Sequence, residues 1–243
     1  MRVLVLQHID SGNPWFLGDL LDQYGGSWRS LRIDLGEKPP EKDTYDAVWV
    51  LGGAMQVWEE ETLPWLVDEK RFIRELVERD VPYLGICLGH QLLATSLGGR
   101  VAYASNPEIG VMEVERSEEG HRSKFLSGLE SMRVLQWHKA EVKEAPAGAK
   151  ILAASNACEI QALSVNDSAF SVQFHPEVNE RTLPAWFETV DDREDLITAF
   201  GEGGEEILKS QADSSMRELN KAARRLFQNW WLIASARISN EKG

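Results

Sequence analysis

Over the first hundred residues, apolar positions alternate between short continuous runs and stripes at helical spacing. Arg2 to Gln7 (RVLVLQ) is a continuous run, the pattern of a parallel strand buried on both faces. Asn13-Pro14 predicts a helix start, with Asn as N-cap and Pro at the first helical position, leading into WFLGDLLDQYGG and its glycine stop. SWRSLRIDL reads as a second strand, and YDAVWVLGG (45–53) as a third that ends in paired glycines. In LPWLVDEKRFIRELVERD (63–80), Leu66, Phe72, Ile73, Leu76 and Val77 recur at helical spacing. Val81 to Ile86 is then a strand and HQLLATSLGG a helix. Strand and helix in alternation predict an α/β fold, a doubly wound, mostly parallel open sheet with flanking helices.

Ligands of such sheets sit beyond the carboxyl ends of the strands. Gly52-Gly53 and the run Gly85-Ile86-Cys87-Leu88-Gly89 both fall at expected carboxyl ends, so the two features are expected to face one crevice. From Arg100 to Gln173 the pattern changes to shorter β-like segments (GVMEVER, MRVLQWH, AKILAAS, EIQALSV, AFSVQF), expected as antiparallel or mixed strands extending the sheet or forming a side sheet. After FHPEV the chain turns helical: ERTLPAWFETV, REDLITAF, then a longer stretch from about Glu205 to Ser235. GEGGEE (201–206) reads as a hinge-like loop between them. We expect one domain over 1–190 and a helical C-terminal extension over 191–243, packed on the domain or on a partner.

Composition narrows the partners. The chain has 243 residues with 43% apolar content, enough for a sizeable core. Acidic residues number 39 against 26 basic, a net charge of -13, which disfavours nucleic acid and anionic membranes even with nine tryptophans available for stacking. Two cysteines are too few for a disulfide framework, the N-terminus lacks a secretory pattern, and no apolar run approaches the roughly 20 residues of a membrane span, so a soluble cytoplasmic protein is expected. No Cys/His cluster has zinc spacing, and neither phosphate-cradling glycine motif is present, so no metal and no cofactor are expected.

The chemistry centres on YLGICLGHQLLA (83–94). A strand running straight into G-x-C-x-G and then a helix is a nucleophile elbow, in which the glycines admit the strained turn and Cys87 is the nucleophile. The helix that follows turns its backbone N–H groups and dipole toward the sulfur, favouring thiolate and able to hold an oxyanion. Gly53, after VWVLGG, is the candidate second oxyanion donor. Among five histidines, His175 ends an apolar β-like run, and Glu177 follows across a rigid proline, close enough to fold back on the imidazole. Cys87, His175 and Glu177 then form a Cys-His-Glu triad in that chain order. An inert core cysteine would need neither glycine; Cys158, which has none beside it, is read as structural. His8, His90 and His121 are read as surface, capping or satisfied histidines, and the acidic run Glu59-Glu60-Glu61 as a solvated loop.

GICLGHQ with a downstream FHPE, preceded by a strand ending in GG, resembles the class I (triad) glutamine amidotransferases, in particular stand-alone proteins similar to the glutaminase domain of GMP synthase. The segments LGGAMQVWEEETLPWLVDEK, SNPEIG (105–110), VLQWHKAEV (134–142) and ILAASNACEIQAL (151–163) add to the likeness, which covers roughly residues 1 to 190. The resemblance implies a flavodoxin-like sheet and a reaction in which Cys87 attacks the γ-carboxamide of glutamine, a γ-glutamyl thioester forms, ammonia leaves and water frees glutamate. It implies Gly53 and Leu88 as backbone oxyanion donors, and Gly52, Ala54, Gln91 and His138 as substrate contacts. Ammonia made in this way is expected to pass to a separate ammonia-accepting synthetase subunit or to be released. The tail after about Asp191 departs from the family's core domain and is expected as a dimerisation or partner-docking element or a helical cap on the site.

Rival readings separate on chain order and on departures from the family. A dienelactone-hydrolase-type enzyme needs its acid between nucleophile and histidine, whereas here the acid follows the histidine. Deglycase-like proteins place histidine directly after the cysteine, where this chain has Leu88. A γ-glutamyl peptidase or hydrolase forms the same thioester and stays open, the more so because the GG loop continues as AMQVW rather than the proline-serine type of turn in synthetase-linked members. A non-catalytic partner-binding subunit is the third reading, opposed by the intact Cys87, His175 and Glu177.

Overall fold

The computed structural model describes residues 1–41, 44–189 and 193–241. In chain order the elements are β1 (Arg2–Leu6), α1 (Trp15–Gln23), β2 (Ser27–Leu31), β3 (Ala47–Val50), α2 (Trp65–Glu78), β4 (Tyr83–Ile86) and α3 (Leu88–Ser96). They continue as β5 (Arg100–Arg116), α4 (Glu118–Arg122), β6 (Ser131–Glu144), β7 (Lys150–Ala154), β8 (Ala162–Val165), β9 (Ala169–Val172), α5 (Thr182–Thr189), α6 (Arg193–Phe200) and α7 (Gly204–Glu241). All nine strands join one sheet in the order β2-β1-β3-β4-β9-β8-β7-β5-β6. The later segments thus extend the sheet and do not form a second one. Pairing is parallel from β2 through β9 and antiparallel from β9 through β6.

The apolar runs explain the two-sided core. In β1, Val3 and Val5 join one buried cluster with Leu17 and Leu20 of α1 and Phe227 and Trp230 of α7. Leu4 and Leu6 point the other way, into a cluster with Leu66, Ile73 and Leu76 of α2 and Leu92 of α3. Successive strand side chains face opposite sides, so a continuous run is what a strand covered on both faces requires. A third cluster joins Ile109 and Leu135 to Leu183 and Trp186 of α5, Leu196 of α6 and Leu208 of α7.

Three boundaries differ from expectation. Asn13 is not the N-cap of α1: Pro14 holds that position with no side-chain cap, and the Phe16 N–H instead donates to the carbonyl of Glu177 at 2.8 Å. A distant backbone acceptor replaces the local side chain, tying α1 to the FHPE segment. GEGGEE is only half a loop, because α7 begins at Gly204. The strand read from GVMEVER begins ten residues earlier, at Arg100, so that SNPEIG lies within the 17-residue β5 where the register to β6 shifts between Tyr103 and Glu108.

The α7 helix lies along the sheet face shared with α1. Trp230 packs edge-on against Trp49 at 5.3 Å, and its indole N–H donates to the Tyr83 carbonyl. Burying side chains such as Leu226 and Phe227 contributes roughly 1.5–3 kcal/mol each. The boundary expected at 190/191 falls outside the described residues. Among the described residues no helix is long and apolar enough to cross a membrane.

Candidate active site

Cys87 stands between β4 and α3 with φ 51° and ψ −102°, a left-handed conformation that costs a non-glycine residue about 1–3 kcal/mol. Its neighbours are glycines because the legs of the turn touch. A Cβ on Gly85 would lie 2.5 Å from the Gly89 carbonyl oxygen, and one on Gly89 would lie 2.1 Å from that of Val50. The strain is held in place by the Cys87 N–H bond to the Val172 carbonyl at 2.9 Å and by the His90 and Gln91 N–H groups, which both donate to the Cys87 carbonyl.

That bond to Val172 shows how the remaining groups arrive. β9 runs parallel to β4 with Ile86 opposite Val172, so the chain leaving β9 emerges at the same sheet edge as Cys87. Gln173 brings its amide Nε2 to 3.6 Å from the Cys87 sulfur. Two residues on, His175 is pinned by its N–H to the Leu135 carbonyl, by an edge-on contact with Trp186 at 4.8 Å, and by Glu177, whose Oε1 lies 2.8 Å from Nδ1. Burial alone would discharge this imidazole, but the Glu177 carboxylate and the Cys87 sulfur hold its proton up to about 10. With Nδ1 engaged by Glu177, Nε2 is the nitrogen left for the sulfur. The other Glu177 oxygen, Oε2, is buried without a partner.

Gly52 and Gly53 close the opposite side. A Cβ on Gly52 would lie 3.3 Å from His175 Cε1, and one on Gly53 would lie 2.9 Å from Leu88 Cδ2. The loop is held from behind by His8, at the carboxyl end of β1, whose Nδ1 lies 3.2 Å from the Gly52 carbonyl and Nε2 2.9 Å from Glu69 Oε1. Burial opposes a charge on His8, yet Glu69 and the Gly52 carbonyl together raise its pKa. Glu69 and Gln173 have no role in the motif-based reading, and His8 enters it only as a surface, capping or satisfied histidine, of which the last is what it is. A weak signal was available for His8, a polar residue just beyond the carboxyl end of an apolar strand.

Cys87 separates two cavities. One, of about 550 Å³ with its solvent-open mouth included, is lined by Gly52, Gly53, Ala54, Cys87, His175 and Glu177 with Ile9, Gly12, Asn13, Leu51, Trp137 and Trp186. The other, of about 360 Å³, is lined by Gly53, Ala54, Cys87, Leu88, Gln91 and His138 with Met55, Gln56, Trp137, Lys139 and Ala140. Every residue expected at the site therefore borders one cavity or both. Gln91 and His138 come with polar atoms already engaged: Gln91 Nε2 donates to the Ala140 carbonyl and to Gln173 Oε1, and His138 lies 3.0 Å from Ala140 O and from Glu108 Oε2.

The other candidates resolve as bystanders. Cys158 is buried, and burial together with Glu141 raises its thiol pKa. His90 is neither on the surface nor a cap; it is buried, bonded to Ser171 and Ile160, and burial pushes its pKa down to about 3. His121 is exposed. In the acidic run, Glu60 pairs with Lys70, and Glu59 accepts from the N–H of Gln56 beside the second cavity.

Comparison with known proteins fits this geometry. The family model "Glutamine amidotransferase class-I" matches residues 21–189. Gamma-glutamyl peptidase 4 of Arabidopsis thaliana is 30% identical over 215 residues, covering 86% of this chain and 81% of that protein. A glutamine-hydrolyzing GMP synthase subunit of Sulfolobus acidocaldarius is 41% identical over 181 residues, covering 73% of this chain and 90% of that protein. A solved glutamine amidotransferase from Thermotoga maritima superposes with a TM-score of 0.83 at 31% identity, covering 95% of this chain and 97% of its own.

Proposed function

The chain belongs to the class-I glutamine amidotransferase family, and from that premise we propose that it cleaves a γ-glutamyl amide bond through a thioester on Cys87, with glutamine as the parent substrate. The observation that carries the reading is the parallel register of β4 and β9, which sets the His175–Glu177 pair beside a sulfur held in a strained elbow. In the reaction Cys87 Sγ attacks the γ-carbonyl carbon, and the oxyanion is held by the N–H groups of Gly53 and Leu88. His175 Nε2 passes its proton to the departing nitrogen as the C–N bond breaks, giving ammonia from glutamine. Water, deprotonated by the same nitrogen, then attacks the thioester and frees glutamate. Glu177 fixes the imidazole tautomer and stabilises its cation.

Gly52 and Ala54 border the reacting bond, and Gln91 and His138 shape the acyl cavity through their bonds to Ala140. Ammonia made here passes to a separate synthetase subunit or is released. Glutamate release from glutamine by the purified protein tests the reading: Cys87→Ala should abolish it, and equal rates in both proteins overturn it. A second reading, γ-glutamyl peptidase, is favoured by one observation, the size of the cavity on the His175 side of Cys87.

A further inference from the structure

We propose that the cavity on the His175 side of Cys87 is a leaving-amine site suited to a γ-glutamyl amide whose amine carries an apolar, uncharged group, in preference to ammonia or an α-amino acid. The proposal rests on the thioester reading above and deepens it. The chemistry itself assigns the two cavities. The proton donor to the departing nitrogen must sit at that nitrogen, and of the two cavities at Cys87 His175 borders only the larger. Leu88, the oxyanion donor after the nucleophile, borders only the smaller one, which is therefore the acyl side.

Ammonia needs little room on the amine side, roughly the 30 Å³ of a water-sized molecule. The space there, about 550 Å³ counted together with its solvent-open mouth, reaches from Ile9 and Asn13 to Trp137 and Trp186 and is wider than ammonia requires. Its walls are Ile9, Leu51, Trp137 and Trp186, which favour an aliphatic or aromatic substituent. Among the described residues that line it there is no lysine or arginine; the site's lysine, Lys139, borders the acyl cavity. The carboxylate present is Glu177, one oxygen of which is bonded to His175 while the other is buried without a partner. An α-carboxylate on the leaving amine would lie beside that carboxylate, and the one cation lining the cavity, the His175 imidazolium, is already engaged by Glu177 and by the Cys87 sulfur, so the charge acts as the repulsive element by which a site rejects a wrong ligand. An amine of the same shape without the carboxylate avoids this penalty.

A matched set of substrates tests the proposal: glutamine, γ-glutamyl-leucine and γ-glutamyl-isoamylamide, the last being the leucine compound without its carboxylate. Glutamate release should show kcat/KM for the isoamylamide at least about tenfold above both others, the scale on which an apolar pocket discriminates. Glutamine equal to or better than the isoamylamide overturns the inference and leaves the thioester reading standing. So does γ-glutamyl-leucine matching the isoamylamide. Absence of Cys87-dependent release from all three overturns both. Ile9→Arg, at a half-buried position three residues beyond β1, supplies an unpaired cation and should move the leucine-to-isoamylamide ratio at least about tenfold toward leucine; an unchanged ratio counts against the charge argument.

Discussion

Two buried histidine–glutamate pairs stand at the carboxyl ends of two strands in the parallel half of the sheet. His175 and Glu177 follow β9, 2.8 Å apart, while His8 follows β1 and meets Glu69 of α2 at 2.9 Å. In both, burial works against the imidazolium, and the carboxylate together with the group at the other ring nitrogen more than restores it. The difference lies in what the second nitrogen reaches. His8 spends it on the Gly52 carbonyl, with both side chains of the pair wholly excluded from solvent, and so has no group left to act with. His175 spends it on the Cys87 sulfur, the proposed nucleophile, beside a cavity. The same two residue types thus make a brace in one place and a proton shuttle in the proposed reaction in the other, and the neighbour of one ring nitrogen decides between them.

Cutting each pair should separate these roles. Glu177→Gln keeps the shape but lets the imidazole lose its tautomer and charge, so kcat should fall roughly 10³- to 10⁴-fold with the thermal midpoint little changed. Steady-state rates with a melting curve check it; a collapsed melt with intact kcat would reverse the assignment. Glu69→Ala leaves a buried imidazole without its counter-charge, at a cost of about 3–5 kcal/mol. For a chain of this size, at about 2–4 °C per kcal/mol, that lowers the midpoint by roughly 10 °C. Its kcat should fall much less than that of Glu177→Gln, through a loosened Gly52–Gly53 peptide.

The remaining expected effect is on pH dependence. The unfolded His175 side chain loses its proton near 6.5 and the folded one near 10. The stabilisation linked to that proton is complete below about pH 6.5 and disappears as pH rises through about 10. Denaturant midpoints of the wild type should decline across that window, and the decline should flatten in Glu177→Gln. The same slope in both proteins would place the titrating group elsewhere.

The elbow was legible in the sequence because its cause is local: glycines two residues either side of Cys87 are demanded by atoms within the turn and by the strand beneath it. Glu177 was legible for the same reason, being two residues from its partner. His8 was read as one of several ordinary histidines because its partner lies 61 residues away on a helix whose pattern marks Glu69 as a polar position. The start of α1 was misplaced by one residue because its cap is the Glu177 carbonyl, which no local propensity encodes.

The sequence alone determined the elements that rest on short-range periodicity: continuous apolar strands covered on both faces, the strained cysteine turn, and the histidine and glutamate joined by proline. It did not determine which strands become neighbours. A strand's period of two tells which residues share a face, not which strand lies alongside, and that choice is made by chain closure and burial across the whole domain. Only the tertiary structure laid β9 parallel to β4, and thereby carried His175 to the sulfur, turned His8 onto Gly52, and divided the space around Cys87 into two cavities of different size and polarity.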